Sequence, residues 1–207
     1  MRKISIRKIA VFAIYILFII LLVIGIVKIL FLGKKNINVE VVDKIDNYNY
    51  TLNSNATDYY KGLFNELSNL LKNDDFDEKS YTELVSKLFI TDVYTLDNKL
   101  NKNDIGGTEY VYSNFKDDFN MIAQSTIYKN IKNNMYNDRV QDLPIVKEVI
   151  INSIDNDDFE YEKNVFENAY YVDVSVNYES DLGYPTNISL VIIKNNDKLE
   201  VAKMEAK

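Results

Sequence analysis

Cysteine and histidine are both absent from the 207 residues. Without them there is no thiol nucleophile, no disulfide, no imidazole acid or base, and none of the usual zinc or haem ligand sets. A bound metal would have to be a hard cation held by carboxylates, carbonyls and water, and no cofactor is expected. The fold must be held by burial alone. Proline and glycine are scarce, at two and six residues, which argues against a disordered composition. Basic residues thin out after position 35. Seventeen remain there against all 31 acidic ones, a formal charge of −14 for that part of the chain. Such a field repels phosphate backbones and anionic headgroups, so nucleic acid is not an expected partner. What is plentiful is Asn, Ile, Lys, Asp and Tyr, a bias that fits an AT-rich bacterial genome.

One long hydrophobic run stands near the start. From Ile9 to Val27 every residue is apolar, Tyr or Gly, and after Lys28 the run continues to Gly33. As a helix it would extend roughly 36 Å, comparable to a tilted crossing of a bilayer core about 30 Å thick. The run exceeds the roughly 7–15 residues of a signal-peptide core, and no small-x-small cleavage site precedes Lys34. The sequence therefore predicts an uncleaved, single-pass transmembrane anchor over 9–33, with the lipid bilayer as its partner. Arg2, Lys3, Arg7 and Lys8 precede the run, while Lys28, Lys34 and Lys35 close it. The positive-inside rule then predicts a cytoplasmic tail over 1–8 and an extracytoplasmic C-terminal domain.

Residues 34–56 are polar and read as a stalk, with a short extended patch at 39–42. The domain proper is expected over 57–207. "TDYYKGLFNELSNLLK" carries Tyr59, Tyr60, Leu63, Phe64, Leu67, Leu70 and Leu71 at the helical period, with Thr57 or Asp58 available as cap. A second helix opens with Ser80 and Glu83 at capping-box spacing and presents Leu84, Val85, Leu88 and Phe89 to a core. A third follows Asn114, with Phe115, Phe119, Ile122, Ile127 and Ile131 roughly on one side, while its beginning, "YVYSNF", reads equally well as a short strand. After Pro144 the period changes to two. "IVKEVIIN" reads as a strand, "IDNDD" as a turn and "FEYEK" as a short strand. In "YYVDVSVNY" the odd and even positions separate apolar from polar residues. "NISLVIIK" and "LEVAKM" complete the set. Short polar turns between them imply an antiparallel meander, because parallel crossovers need a dozen or more residues. Helices first and strands last make an α+β domain, with amphipathic helices on one face of the sheet.

The most motif-like stretch is the loop "TLDNKLNKNDIGGTEY". It lacks the Lys and the glycine spacing of a phosphate-binding loop, and no G-x-G-x-x-G occurs. A calcium-loop register from Asn101 fails at Ile105 and Tyr112. The stretch is therefore read as a structured turn, with Asn98, Asn101, Asn103 and Asp104 bonding to local backbone and Gly106-Gly107 admitting positive φ; the alternative is a weak cation or ligand site.

In element order, residues 57–204 resemble membrane-anchored domains of the nuclear-transport-factor-2-like fold, with the cystatin-like sheet as a near relative. The local matches are "LFITDVYTLDNK" and "YYVDVSVNYESDLGYPTNISLVIIK". The resemblance implies a cone of helices against a bent sheet and a role like that of scaffold subunits in conjugation and type IV secretion machines. It implies no catalytic residues here. The leading expectation is thus an interaction or scaffold domain of a bacterial cell envelope assembly, with envelope proteins as partners and Tyr171 and Tyr184 at the interface. The alternative is a small-ligand domain with a pocket between helices and sheet, lined by Phe89, Tyr94, Val174 and Tyr178. No pairing of acid and base is legible, so an enzyme is not expected.

Overall fold

In the computed structural model, residues 15–24, 38–73 and 75–207 are described. The chain divides into two units, residues 1–36 and 37–207. In the first, residues 15–24 form a helix with its side chains exposed. The expected anchor over 9–33 does not stand, and the single-pass topology and extracytoplasmic placement fall with it. The described helix is about 15 Å long at 1.5 Å per residue, half of a bilayer core. Among the described residues no helix is long and apolar enough to cross a membrane. The rest of the expected anchor (9–14 and 25–33), the expected tail (1–8) and residues 34–37 lie outside the described residues.

The second unit begins with a hairpin, β1 (Val41–Ile45) and β2 (Tyr50–Asn53), joined through a 3-10 turn at Asp46–Tyr48. This replaces the expected stalk. Tyr50 is fully buried and Leu52 nearly so, which makes the hairpin part of the main core. Helix α1 (Asp58–Leu70) follows, capped by Thr57, whose hydroxyl accepts from Tyr60 N at 3.2 Å. Its buried stripe is Tyr60, Leu63, Phe64 and Leu67, an i, i+3, i+4, i+7 pattern.

Helix α2 (Glu78–Tyr94) starts earlier than the Ser80–Glu83 spacing predicts. Asp77 takes the cap position, accepting from Lys79 N and Ser80 N, and Ser80 Oγ donates to the same carboxylate at 2.8 Å. The helix is buried on most of its circumference. Its buried hydroxyls are satisfied one turn back: Ser86 Oγ donates to Thr82 O at 2.8 Å and Thr91 Oγ1 to Lys87 O at 2.6 Å. That local pairing lets polar residues sit in the middle of the domain.

Two 3-10 turns, Thr108–Tyr110 and Ser113–Phe115, lead into α3 (Lys116–Ser125). The third helix is thus shorter than expected. Ile131 lies beyond it and joins Leu96, Ala123, Tyr128 and Leu143 in a second small core.

The sheet holds β3 (Val146–Tyr161), β4 (Asn164–Tyr178), β5 (Asn187–Asn195) and β6 (Lys198–Ala206), antiparallel in the order β3-β4-β5-β6. The meander is therefore present, and it is curved. The expected turn at "IDNDD" is absent, and those residues run straight on within β3. Register shifts between Ile151 and Ser153 and between Asp157 and Phe159 absorb the polar stretch. Pairing with β4 supplies the backbone partners that override the local turn preference. Val172, Val174 and Val176 of β4 face the helices, as the alternation requires.

Candidate functional site

The Gly-Gly pair is where the loop meets the end of α2. A Cβ on Gly106 would lie 2.1 Å from Asp92 O, and one on Gly107 would lie 2.5 Å from a Val93 methyl. Gly107 also has φ +77°, where L side chains are strained. Only glycines allow this approach, and the approach is secured on both sides. Gly107 N donates to Asp92 Oδ2 at 2.6 Å, and Gly106 N donates to Tyr128 Oη at 3.0 Å. Tyr128 Oη in turn donates to Val93 O at 2.8 Å. Of the four loop residues expected to bond to local backbone, Asn101 and Asp104 do so, whereas Asn98 Nδ2 donates to Asn55 O and Asn103 Oδ1 accepts from Gln124 Nε2. Asp104 Oδ2 accepts from Leu100 N, and Asn101 Oδ1 accepts from Asn103 N.

Docking the loop this way leaves a cavity of about 390 Å³ between β2, the start of α1, the end of α2 and the loop. Its wall is mostly polar and carries Thr51, Asp92, Lys99, Asp104, Glu109 and Lys116. Lys99 is 6% exposed, and its ammonium sits 2.5 Å from Asp92 Oδ1. Arg139 holds this corner from behind. Its guanidinium donates to Lys99 O at 2.8 Å and to Asp97 O.

Glu109 spans to the hairpin, where both its oxygens lie 3.1 Å from Thr51 N and Oε2 accepts from Thr51 Oγ1 at 2.7 Å. Burial pushes its carboxyl above the ordinary glutamate range, the Thr51 hydrogen bonds oppose the rise, and the nearby Asp92 charge adds to it. Beneath lies a set of buried phenols. Tyr60 Oη and Tyr110 Oη are 2.8 Å apart, and Tyr110 stacks on Tyr50 with centroids 4.9 Å apart. Burial raises Tyr60 and Tyr110 well above the usual phenol range. Among the described residues no group of three or more acidic side chains is placed to hold a metal ion.

The residues singled out from sequence lie elsewhere. Phe89, Tyr94 and Val174 are buried in the main core, and Tyr178 packs against it with its hydroxyl donating to Pro185 O at 2.8 Å. The four share one core, and none of them lines the cavity. Tyr171 is half-buried, its hydroxyl donating to Asp158 O at 3.1 Å, and Tyr184 is half-buried beside Tyr178. Sequence reasoning missed Thr51, Asp92, Lys99 and Glu109 as a group, since they come from three separate segments: β2, α2 and the loop. The available signal was the Gly-Gly pair, which marks a close backbone approach as well as a turn.

No family model matches the sequence. Neither does any curated protein, and no solved structure matches the fold. The likeness to nuclear-transport-factor-2-like domains thus rests on element order alone.

Proposed function

We propose that the domain binds a small polar ligand, one bearing amino or hydroxyl groups, in the cavity between the hairpin and the Gly-Gly loop. The observation that carries this reading is charge held against desolvation. Glu109, Asp92 and Lys99 line one partly enclosed space of about 390 Å³, within the size range of small-molecule sites. A wall with Asp92, Asp104 and Glu109 against Lys99 and Lys116 favours a cationic or neutral hydroxylated ligand over an anion. Catalysis is not part of the reading, because the Glu109 and Asp92 oxygens are already engaged with Thr51, Lys99 and Gly107. A scaffold role through Tyr171 and Tyr184 has less support, since both rings are half-buried in the domain's own contacts.

The test is a thermal-shift screen of the full chain against amines, amino acids, polyols and sugars, with calorimetry on each hit. A true ligand at a hundredfold excess over its Kd should raise Tm by about 5–10 °C. Glu109→Gln, and Ala56→Leu to narrow the cavity, should each weaken it about tenfold or more. A flat screen, or a hit indifferent to both variants, refutes the reading.

A further inference from the structure

The face of the sheet turned away from the helices carries short polar side chains in cross-strand rows. Val172, Val174 and Val176 point to the helices, so Tyr171, Asp173 and Ser175 of β4 point the other way. Strand pairing sets two such rows side by side. One runs Asp155, Tyr171, Val191, Lys203, and the next runs Ser153, Asp173, Ser189, Glu205. Both line a cavity of about 310 Å³, at the small end of the range for small-molecule sites. Most of the charge here is already paired. Lys207 Nζ donates to Asp173 Oδ1 at 2.8 Å, and Lys203 pairs with Glu205 at 2.9 Å. Ser189 Oγ donates to the same Asp173 oxygen at 2.5 Å, which fixes that carboxylate in place. What stays open is hydrogen-bonding capacity. Asp173 Oδ2, both oxygens of Asp155 and the Ser153 hydroxyl have no partner among the described residues. Beside them lies an apolar spot. Val191 is buried in a small cluster with Ala169 and Ile193, and Tyr171 packs against it. The half-buried Tyr171 ring is pinned through its hydroxyl, which donates to Asp158 O at 3.1 Å. Among the described residues no other ring stacks on it.

From this arrangement we infer a site for a neutral pyranose sugar, separate from the cavity beside the Gly-Gly loop and independent of it. A sugar ring has an apolar C–H face and a rim of hydroxyls, each both donor and acceptor. The C–H face would lie over Tyr171 and Val191. The two rows are about 6.8 Å apart, so hydroxyls of the same ring reach Asp173 Oδ2 and Ser153 in the next row. Asp155, in the Tyr171 row, takes another. Bonds donated to carboxylate oxygens are the strong kind, and a ring already pinned loses little freedom when a ligand stacks on it. Other ligand classes fit less well. An apolar molecule would cover Asp173 Oδ2 and Ser153 without bonding to them, which is costly. An anion would meet Asp155 and Asp173 with both lysines already paired. A cation would gain only Asp155, whose exposed charge is screened by water and salt.

The experiment titrates the full chain with the methyl pyranosides of glucose, galactose, mannose and N-acetylglucosamine. Binding is followed by calorimetry and by saturation transfer to the sugar protons. Methyl glucuronide, methyl glucosaminide and cyclohexanol are the anionic, cationic and apolar comparisons. At least one neutral pyranoside should bind in the millimolar range, with the largest transfer to the C–H protons of one ring face. Tyr171→Leu should abolish binding, and Tyr171→Phe should keep most of it. Asp173→Asn should weaken binding about tenfold. Ser153→Ala should weaken it several-fold. These two changes leave the apolar contacts in place, so they report on binding even where Tyr171→Leu disturbs the fold. Glu109→Gln, in the other cavity, should change nothing. Failure of all four pyranosides to bind at tens of millimolar overturns the inference. Tighter binding of the glucuronide or the glucosaminide, or equal binding of cyclohexanol, would mean a charged or a plain apolar site and overturn it too. So would sugar binding that survives both Tyr171→Leu and Asp173→Asn. Sugar binding abolished by Glu109→Gln would place the ligand beside the Gly-Gly loop, overturning this site while supporting the other.

Discussion

Replacing Gly106 by alanine tests the geometry of the loop most directly. Gly106 is not among the positive-φ residues, so alanine there carries no backbone strain of its own. The whole cost comes from collision. The added methyl would sit 2.1 Å from Asp92 O and 2.7 Å from both Asp92 C and Lys99 Nζ. The first two are backbone atoms of a buried helix and cannot rotate away. The loop must retreat by an ångström or more, and that stretches two hydrogen bonds, Gly107 N to Asp92 and Gly106 N to Tyr128. Overpacking a filled site costs about 1–3 kcal/mol. Losing one neutral bond and one bond to a carboxylate adds roughly 2–4 kcal/mol. With partial relaxation, a loss of about 3–5 kcal/mol is expected. In urea, with a slope of about 2 kcal/mol per molar, the unfolding midpoint falls by roughly 2 M. Gly62→Ala is the matched control. Gly62 lies inside α1 with nothing within 4 Å of its added Cβ, so that change should stabilise by about 0.5–1 kcal/mol. If Gly106→Ala unfolds at or above the wild-type midpoint, the close approach of the loop to α2 is wrong.

Tyr50→Ala should cost about 3–5 kcal/mol by chemical denaturation, because a fully buried ring leaves a cavity and the Tyr81 hydroxyl, 2.8 Å away, keeps only its bond from Leu199 N. A change under 1 kcal/mol would return residues 41–53 to the status of a stalk. Glu109 has a raised folded-state pKa, so its protonated form is favoured by folding. Its stabilising contribution is complete below the unfolded value and is lost as pH rises through the folded one. Denaturation curves from pH 4 to 8 should therefore move in favour of Glu109→Gln relative to wild type, and a constant difference would contradict this. Burial also raises the phenols of Tyr50, Tyr60, Tyr110 and Tyr128, and pushes Tyr94 up to about 12. In an alkaline titration these groups should ionise together with unfolding above pH 10, in one cooperative ultraviolet step. Gradual ionisation with the fold intact would show that they are reached by water.

The helix stripe at Tyr60, Leu63, Phe64 and Leu67 and the alternation of β4 were legible because each depends on the period of its own segment. The second helix was legible in extent but not in its cap, since Asp77 and Ser80 both satisfy the local rule and only the built backbone selects Asp77. The turn at "IDNDD" misled because its polar residues obey a local preference that the pairing of the sixteen-residue β3 with β4 outweighs. The stalk misled for a related reason. Tyr50 and Leu52 alternate with polar neighbours, but the face they cover is built from α2 and β6, more than thirty residues away. The anchor was inferred from hydropathy over 9–33, whereas the described helix in that run spans ten residues.

By itself the sequence determined the chemistry that is excluded, the acidic character after position 35, and the placing of the helices before the four-stranded meander, since composition and short-range period are properties of the chain alone. Tertiary structure decided which residues share a space. Asp92, Lys99 and Glu109 meet Thr51 only because Gly106 and Gly107 let the loop press against α2, and Ser153, Asp173 and Ser189 form one row only because three strands pair in that register. A linear pattern records neighbours three, four or two residues apart, and contacts between distant segments are fixed by packing.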